Sequence, residues 1–411
     1  MTSRRSLVLV LALAFLVRVP FLTTDFGRTS DMKTFRQWSR GIQYRGLGAA
    51  YQDPTVDYPP LSVLLFAFSG ALEASVPVAW CGGDRFLNAM IKLPPLLADI
   101  AAGWLVALHF RRRGRRHAAL AAAAYTLNPA VWYVSAYWGQ YEAVYTLFLV
   151  GSVLALEARS PAAAWLSGVL AFAVKPQAVV LAPLLLVWTA AREGVRGLAK
   201  GAASALFGVL VLVSPWLVTG RAGDLARTIG AWPEPTPHVD VSAYNLWYLV
   251  LGGRVAGVRS DLTLPGLGLT YRAFALLAVG LFALVVVALA LRARLGPALA
   301  AACLALGLYV LATEIHERFM FPALALLLVA AAEIPALLAP YAVLSATFAY
   351  NLVTIAPFAS WLGINLIVAP DSPRTSWLRG LAIAAAALNV AALASLTAVL
   401  AWSRRQRAAS R

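Results

Sequence analysis

The sequence predicts an all-α polytopic membrane protein. Three observations carry the prediction: the composition, the recurrence of long apolar runs, and the way basic residues fall in the short stretches between them. Hydrophobic residues make up 61% of the 411-residue chain and charged residues only 13%, with a mean hydropathy of +0.74. A soluble domain so composed could not keep its surface polar. Apolar runs at 7–22, 93–108, 118–134, 198–218, 274–291 and 378–402 each approach the roughly 20 residues that a helix needs to cross a bilayer. The net charge of +16 would suit a nucleic-acid binder if it were concentrated. Here the basic residues are scattered between apolar runs, where they act as topology determinants, and no nucleic-acid partner is expected.

Arg18 and Pro20 follow the first apolar stretch, and no small-residue cleavage site appears, so a retained helix is expected rather than a signal peptide. Cys81 falls in an expected loop and Cys303 in an expected span, which argues against a disulfide framework. No tandem repeat or soluble segment stands out, and the organisation expected is a single membrane-embedded domain over 1–411.

Orientation follows from the lysines and arginines of the short loops. The clusters are Arg4 and Arg5; Arg111, Arg112, Arg113, Arg115 and Arg116; Arg192, Arg196 and Lys200; Arg292 and Arg294; and Arg404, Arg405 and Arg407. All lie on one side if the apolar stretch 61–76, which is short, starts at Pro59-Pro60 and contains Glu73, rests in the interface instead of crossing. About twelve spans then follow, near 5–22, 89–110, 118–135, 142–157, 161–174, 177–191, 198–218, 272–292, 296–313, 318–333, 335–350 and 378–402. Both termini are expected in the cytoplasm, with large extracytoplasmic loops at 23–88 and 219–271.

The same topology places a second polar population outside: Asp25, Asp31, Asp57, Glu142, Lys175, Gln177, His238, Asp240, Asn245, Glu314, His316, Glu317 and Arg318. Ionisable groups at the ends of membrane helices are costly unless solvated or paired, so their convergence on one face points to a site. Asp99, inside the second span, needs a partner, and Lys92 is the candidate nearest in sequence.

Thr29-Ser30-Asp31 precedes a helix-like stretch with Ser30 as N-cap. At 3.6 residues per turn, Asp31, Phe35, Trp38 and Ile42 share one face, and Lys33, Arg36 and Arg40 line the opposite one. This is the pattern of an interfacial amphipathic helix. Position alone leaves Asp31 either a plain capping aspartate or a general base, since negative charge is favoured in a first turn. Downstream, Asp57-Tyr58-Pro59-Pro60-Leu61 starts a helix sharply and places Asp57 and Tyr58 rigidly.

The aspartate seven residues before Trp38, followed by Asp57-Tyr58-Pro59-Pro60-Leu61, resembles the first luminal loop of the GT-C superfamily. The closest likeness is to the endoplasmic reticulum glucosyltransferases that extend lipid-linked oligosaccharides and to bacterial mannosyltransferase-like relatives. Trp138-Gly139-Gln140-Tyr141-Glu142 looks like the second luminal motif, Lys175-Pro176-Gln177 like its Lys-Gln turn, Asn245-Leu246-Trp247 like its Asn-x-Trp loop, and His316-Glu317-Arg318 like its His-Glu-Arg signature. The eukaryotic enzymes carry His-x-Phe-Gln-Tyr-Asn where this chain has Trp-Gly-Gln-Tyr-Glu, and they are longer.

The resemblance implies a GT-C-like helical bundle that transfers a hexose, mannose or glucose, from a polyprenyl-phosphate donor. The acceptor would be a hydroxyl on a glycolipid, polysaccharide or other glycan, at the extracytoplasmic face of a bacterial plasma membrane. Transfer needs a base for the acceptor hydroxyl, and Asp31 is the candidate, acting in one in-line displacement with inversion. It also needs positive charge on the departing phosphate, for which His316, Arg318 and Lys175 are the candidates. Asp57, Tyr58, Trp138, Gln140, Glu142, Gln177, Asn245, Trp247 and Glu317 are expected to support these groups or the substrate. Glu317 would orient His316 or Arg318, and Trp138, Tyr141, Trp247 and Tyr58 have faces suited to a sugar ring. No cofactor is expected and a metal is not required, because the acids are dispersed without ligand spacing; a divalent cation stays open as an alternative. The rivals are a lipid or sugar transporter or flippase, and a non-catalytic scaffold. A transporter would show paired broken helices in two repeats, which the sequence lacks.

Overall fold

Without water to satisfy backbone N–H and C=O groups, an apolar chain forms helices, whose backbone bonds close within one segment. The structure is a computed structural model that describes residues 3–26, 29–230, 237–255, 257–293, 295–355 and 376–408. Arg294 of the expected fourth basic cluster, and 27–28, 231–236 and 256 in the expected loops, lie outside the described residues. Among those described, the chain is all-helical, 80% helix with no strand, as composition and periodicity predict.

Among the described residues, five stretches are long and apolar enough to cross a membrane: Arg85–Arg113, Pro176–Val218, Tyr271–Arg292, Pro335–Thr354 and Trp377–Ser403. They are compatible with an integral membrane protein. Pro60–Ala74, Pro161–Phe172 and Pro297–Leu311 are apolar but shorter. At 1.5 Å per residue a 15-residue helix reaches only about 22 Å, against a hydrocarbon layer of about 30 Å. Helix length by itself therefore supports five crossings.

The chain divides into two compact units, one comprising 1–179 with 193–234 and the other 180–192 with 235–411. The first contains α1 (Ser3–Arg18), α2 (Thr29–Arg45), α3 (Pro60–Ala74), α4 (Val78–Cys81), α5 (Arg85–Phe110), α6 (Arg115–Thr126), α7 (Pro129–Trp132), a π-helix (Tyr133–Trp138), α8 (Glu142–Glu157) and α9 (Pro161–Phe172). Helix α10 (Ala182–Val218) changes unit between Arg192 and Glu193, next to Gly194, whose φ of 63° and ψ of −160° break it. That break falls among Arg192, Arg196 and Lys200, where the sequence places a turn between two spans. α11 (Ala222–Gly230) closes the first unit. Cys81, expected in a loop, ends the four-residue α4.

Two sequence expectations near the first loop change. Helix α2 starts at Thr29, so Ser30 lies inside the first turn and not ahead of it. The face that carries Lys33, Arg36 and Arg40 is only partly free. Arg40 forms a two-point bond to Glu73 at 2.6 and 3.0 Å and reaches Asp84 at 2.9 Å, while Arg36 bonds Asp84 at 3.1 Å and Asn88 at 2.7 Å. These pairs tie α2 to α3 and to the start of α5. The cleft beside them is lined by Lys33, Arg36, Arg40 and Arg45, and each of the three arginines is paired with a carboxylate. Gly70 of α3 is needed for that packing, because a Cβ there would stand 2.5 Å from the Ser39 carbonyl of α2.

The second unit contains α12 (Leu246–Val250), α13 (Tyr271–Arg292), α14 (Pro297–Leu311), α15 (Phe321–Ala331), α16 (Leu338–Ile355) and α17 (Ser376–Ala408). Every residue of α15 is buried, which is the expected fate of a helix apolar all round. It is the centre of a core formed with α14 and α16.

Candidate functional site

The site residues of the first unit are positioned by an aromatic core. Phe35 and Trp38 of α2 meet Phe66 of α3 with ring centroids 5.0 and 5.5 Å apart, Tyr141 meets Phe66 at 4.9 Å, and Tyr58 meets Trp38 at 5.5 Å. The apolar members of the stripe that sequence periodicity marked on α2, Phe35, Trp38 and Ile42, are thus buried, each at most 4% exposed, and Met32 beside them is buried too. Burial of this stripe fixes the rotation of α2, and Asp31, one turn before Phe35, is turned with it.

Asp31 Oδ2 accepts two hydrogen bonds, from Trp138 Nε1 at 3.1 Å and from Gln140 Nε2 at 2.6 Å. The other carboxylate oxygen receives a long bond from Ser30 Oγ at 3.4 Å. Gln140 is in turn oriented by Tyr58, whose hydroxyl donates to Gln140 Oε1 at 3.3 Å. Trp138 is fully buried, so its indole orients a carboxylate and presents no face to solvent.

Lys175 joins the same cluster. Its ammonium bonds Glu142 Oε1 at 2.5 Å and stands 5.2 Å from the centre of the Tyr58 ring. The junction is built by the start of α3: Leu61 N donates to Ala173 O at 2.8 Å, and Ser62 Oγ to Val174 O at 2.9 Å. Pro59 and Pro60 make this chain entry rigid, which is why Tyr58 arrives beside Lys175. Gln177 lies in the neighbouring turn (Pro176–Leu181), and Asp57 is exposed beside Tyr58. The structure therefore brings together Asp31, Tyr58, Trp138, Gln140, Glu142 and Lys175, drawn from three of the sequence motifs.

Trp138 is the last residue of the π-helix (Tyr133–Trp138), Gly139 caps it and Gln140 follows. Gly139 has φ 88°, and an added Cβ would lie 2.8 Å from Met32 Sδ. Only glycine fits both the left-handed backbone and the closeness to α2. Nothing in the apolar periodicity marks a π-helix, because its i→i+5 bonds leave no local repeat to count.

Asp99, for which Lys92 was the expected partner, pairs with Arg18 of α1 at 3.2 Å, both side chains being fully buried. It also accepts hydrogen bonds from Tyr125 at 3.3 Å and, at very short range, from Ser135. Lys92 points elsewhere, donating to the Phe21 and Tyr137 carbonyls at 3.0 and 2.8 Å. Sequence proximity favoured Lys92, but helix packing brought Arg18 in from 81 residues away.

In the second unit, His316 precedes a short turn of helix (Glu317–Met320) that runs into α15. Glu317 is fully buried, with Arg318 Nη1 at 3.5 Å and His316 Nδ1 at 3.8 Å from its carboxylate. The His-Glu-Arg run is positioned by the loop 237–245: Val241 N donates to Ile315 O at 3.2 Å and Glu314 N to Val239 O at 3.3 Å. Glu314, at φ 63°, accepts from Arg272 at 2.7 Å and Ser260 at 2.5 Å, and so anchors this loop. His238 bridges to Arg259 in the same loop cluster.

Asn245 and Trp247 pin the loop from the other side. Asn245 Oδ1 caps α12 by accepting from the backbone N–H of Trp247 and Tyr248, and its Nδ2 donates to Ala312 O at 3.3 Å. Trp247 Nε1 donates to Leu311 O at 3.0 Å, and the ring is buried against Tyr271 and Phe274. The Asn-x-Trp and His-Glu-Arg motifs are thereby joined through 311–318.

Sequence reasoning gave Asp240 little weight. It is buried, and burial, with the charge of Glu317 adding to it, pushes its carboxyl well above the usual carboxylate range, against backbone N–H bonds from Ala243 at 2.8 Å and Ser242 at 3.2 Å. Tyr309 and Asn351 were missed: Tyr309 donates to Asn351 Oδ1 at 2.9 Å, and both accept from Tyr244 N. Asn351 near the end of an apolar helix was the signal, since a polar side chain there requires a partner.

No family model matches the chain, and no curated protein matches it in sequence.

Proposed function

We propose that the chain is an inverting, polyprenyl-phosphate-dependent hexosyltransferase of the GT-C type, with Asp31 as general base. The observation that carries this reading is that Trp138 and Gln140, from the second motif, both donate to one carboxylate oxygen of Asp31, from the first. A carboxylate held by two donors on one oxygen keeps its other oxygen directed for an acceptor hydroxyl, as a base in an in-line displacement requires.

In this mechanism the acceptor hydroxyl attacks the anomeric carbon, its proton passes to Asp31, and the sugar–phosphate bond breaks. Polyprenyl phosphate leaves as a good leaving group, so stabilising its charge dominates catalysis. His316 and Arg318 supply that charge, with Lys175 as a third cation, and Glu317 orients both His316 and Arg318. The finer topology belongs to the same proposal: about twelve spans, both termini cytoplasmic, and Asp31 and His316 both at the extracytoplasmic face of a plasma membrane. Mannose is the first donor to try, glucose the second.

The test is transfer of radiolabelled mannose or glucose from the polyprenyl-phosphate donor to glycolipid and glycan acceptors in membranes carrying wild type or Asp31→Asn. We expect normal insertion and at least about a hundredfold loss of transfer, the lower end for removing a general base. Near-normal transfer by Asp31→Asn removes it from the catalytic role. Labelling of Asp31 and His316 from opposite compartments would sink the whole scheme.

A further inference from the structure

Two ionisable residues in the middle of α5, Lys92 and Asp99, are fully buried in a helix long and apolar enough to span a membrane. Such groups are expensive there and call for a purpose. They are seven residues apart, and so about 20° from two full helical turns and on one face. Both act on the same short segment. Asp99 accepts from the Ser135 hydroxyl, and Lys92 donates to the Tyr137 carbonyl.

A third tie comes from the helix backbone. Pro94 and Pro95 lie inside α5 and lack the N–H groups that would bond the carbonyls of Met90 and Ile91. Those two carbonyls instead accept from Ser69 Oγ at 3.1 Å and Tyr141 OH at 3.3 Å. Segment 133–141 is thus held by α5 at Ser135, Tyr137 and Tyr141. The two side chains that donate to Asp31, Trp138 and Gln140, lie between the last two of these ties.

We propose that α5 is a polar rail that positions Trp138 and Gln140 against Asp31, with Lys92 as the positioning residue nearest the site. Lys92 touches no reacting atom in this scheme and works through the Tyr137 carbonyl. Its second bond, to Phe21 O, fixes the chain just beyond α1. Its alkyl chain packs so closely on Gly139 that a Cβ there would be 3.0 Å from Lys92 Cγ and Cε. Releasing Lys92 frees the π-helix end, and with it the orientation of Asp31.

The inference rests on the transferase reading, so the experiment includes a readout independent of activity. Full-length wild type, Lys92→Met, Trp138→Phe and the double variant are purified into nanodiscs. Kinetic constants and hydrogen–deuterium exchange of 133–141 are then measured. For Lys92→Met we expect kcat to fall by about a hundredfold, as for an ångström-scale misplacement, while the donor KM stays within about threefold. The double variant should be no slower than the slower single variant, because both act on one path. Amides of 133–141 should exchange at least about tenfold faster, with α3 unchanged.

Multiplicative losses in the double variant, or unchanged exchange at 133–141, would overturn the proposal. If wild type transfers no sugar from any donor tried, the transferase reading fails. The exchange result then decides the positioning role by itself. Should Lys92→Met not accumulate in the membrane, Lys92→Leu, which likewise has no donor, takes its place under the same criteria.

Discussion

Gln140 and Asp31, 109 residues apart in sequence, meet through a 2.6 Å hydrogen bond from the amide nitrogen to the carboxylate. Because Tyr58 holds the amide oxygen, this amide has one orientation, and the bond joins three segments of chain. Replacing Gln140 with Met keeps the volume and removes both bonds. We expect transferase kcat to drop by about tenfold to a hundredfold, with smaller change in KM. Steady-state kinetics on the purified variant check this, and unchanged kcat would mean that Asp31 needs no such orientation.

The Arg18–Asp99 pair makes an asymmetric prediction. Removing one partner of a buried pair leaves a charge without compensation, whereas replacing both with apolar residues does not. Asp99→Leu is expected to destabilise the protein by about 3–5 kcal/mol, and Arg18→Met/Asp99→Leu to recover most of that loss. Unfolding in detergent measures both. A double variant as unstable as the single one would contradict the pairing.

Gly139→Ala tests the turn after the π-helix. The backbone at φ 88° and the 2.8 Å approach to Met32 Sδ both oppose a side chain. We expect a cost of about 1–3 kcal/mol and, because Trp138 and Gln140 flank the turn, a fall in transfer larger than the stability loss accounts for. Thermal unfolding alongside single-turnover transfer separates the two effects.

Asp240 gives a pH signature with a definite sign. Its folded carboxyl lies well above the usual value of 3.8 because it is buried beside Glu317. The folded state therefore holds a proton that the unfolded state has released. The stability this contributes is complete below the unfolded value and is lost as pH rises from there through the folded one. Relative to wild type, Asp240→Asn should show a flatter decline of unfolding temperature with pH above the ordinary carboxylate range. Parallel profiles for the two proteins would argue against a protonated Asp240.

Each feature that the sequence made legible is local. Hydrophobicity and apolar run length determined an all-α, membrane-compatible chain. The 3.6-residue period determined the buried stripe of α2, with Phe35, Trp38 and Ile42 inside. The paired prolines at 59 and 60 determined where α3 begins. These follow from one residue's relation to neighbours a turn away.

Partners were decided by the tertiary structure alone. Asp99 chose Arg18 over the nearer Lys92, Lys92 chose two carbonyls, and Asp31 received Trp138 and Gln140. Glu142 and Lys175, read from separate motifs, became one ion pair. Helix periodicity says which way a side chain faces on its own helix, but not which helix will stand opposite. That depends on packing between elements scores of residues apart, and on a buried polar group taking whichever donor or acceptor the packing brings within about 3 Å.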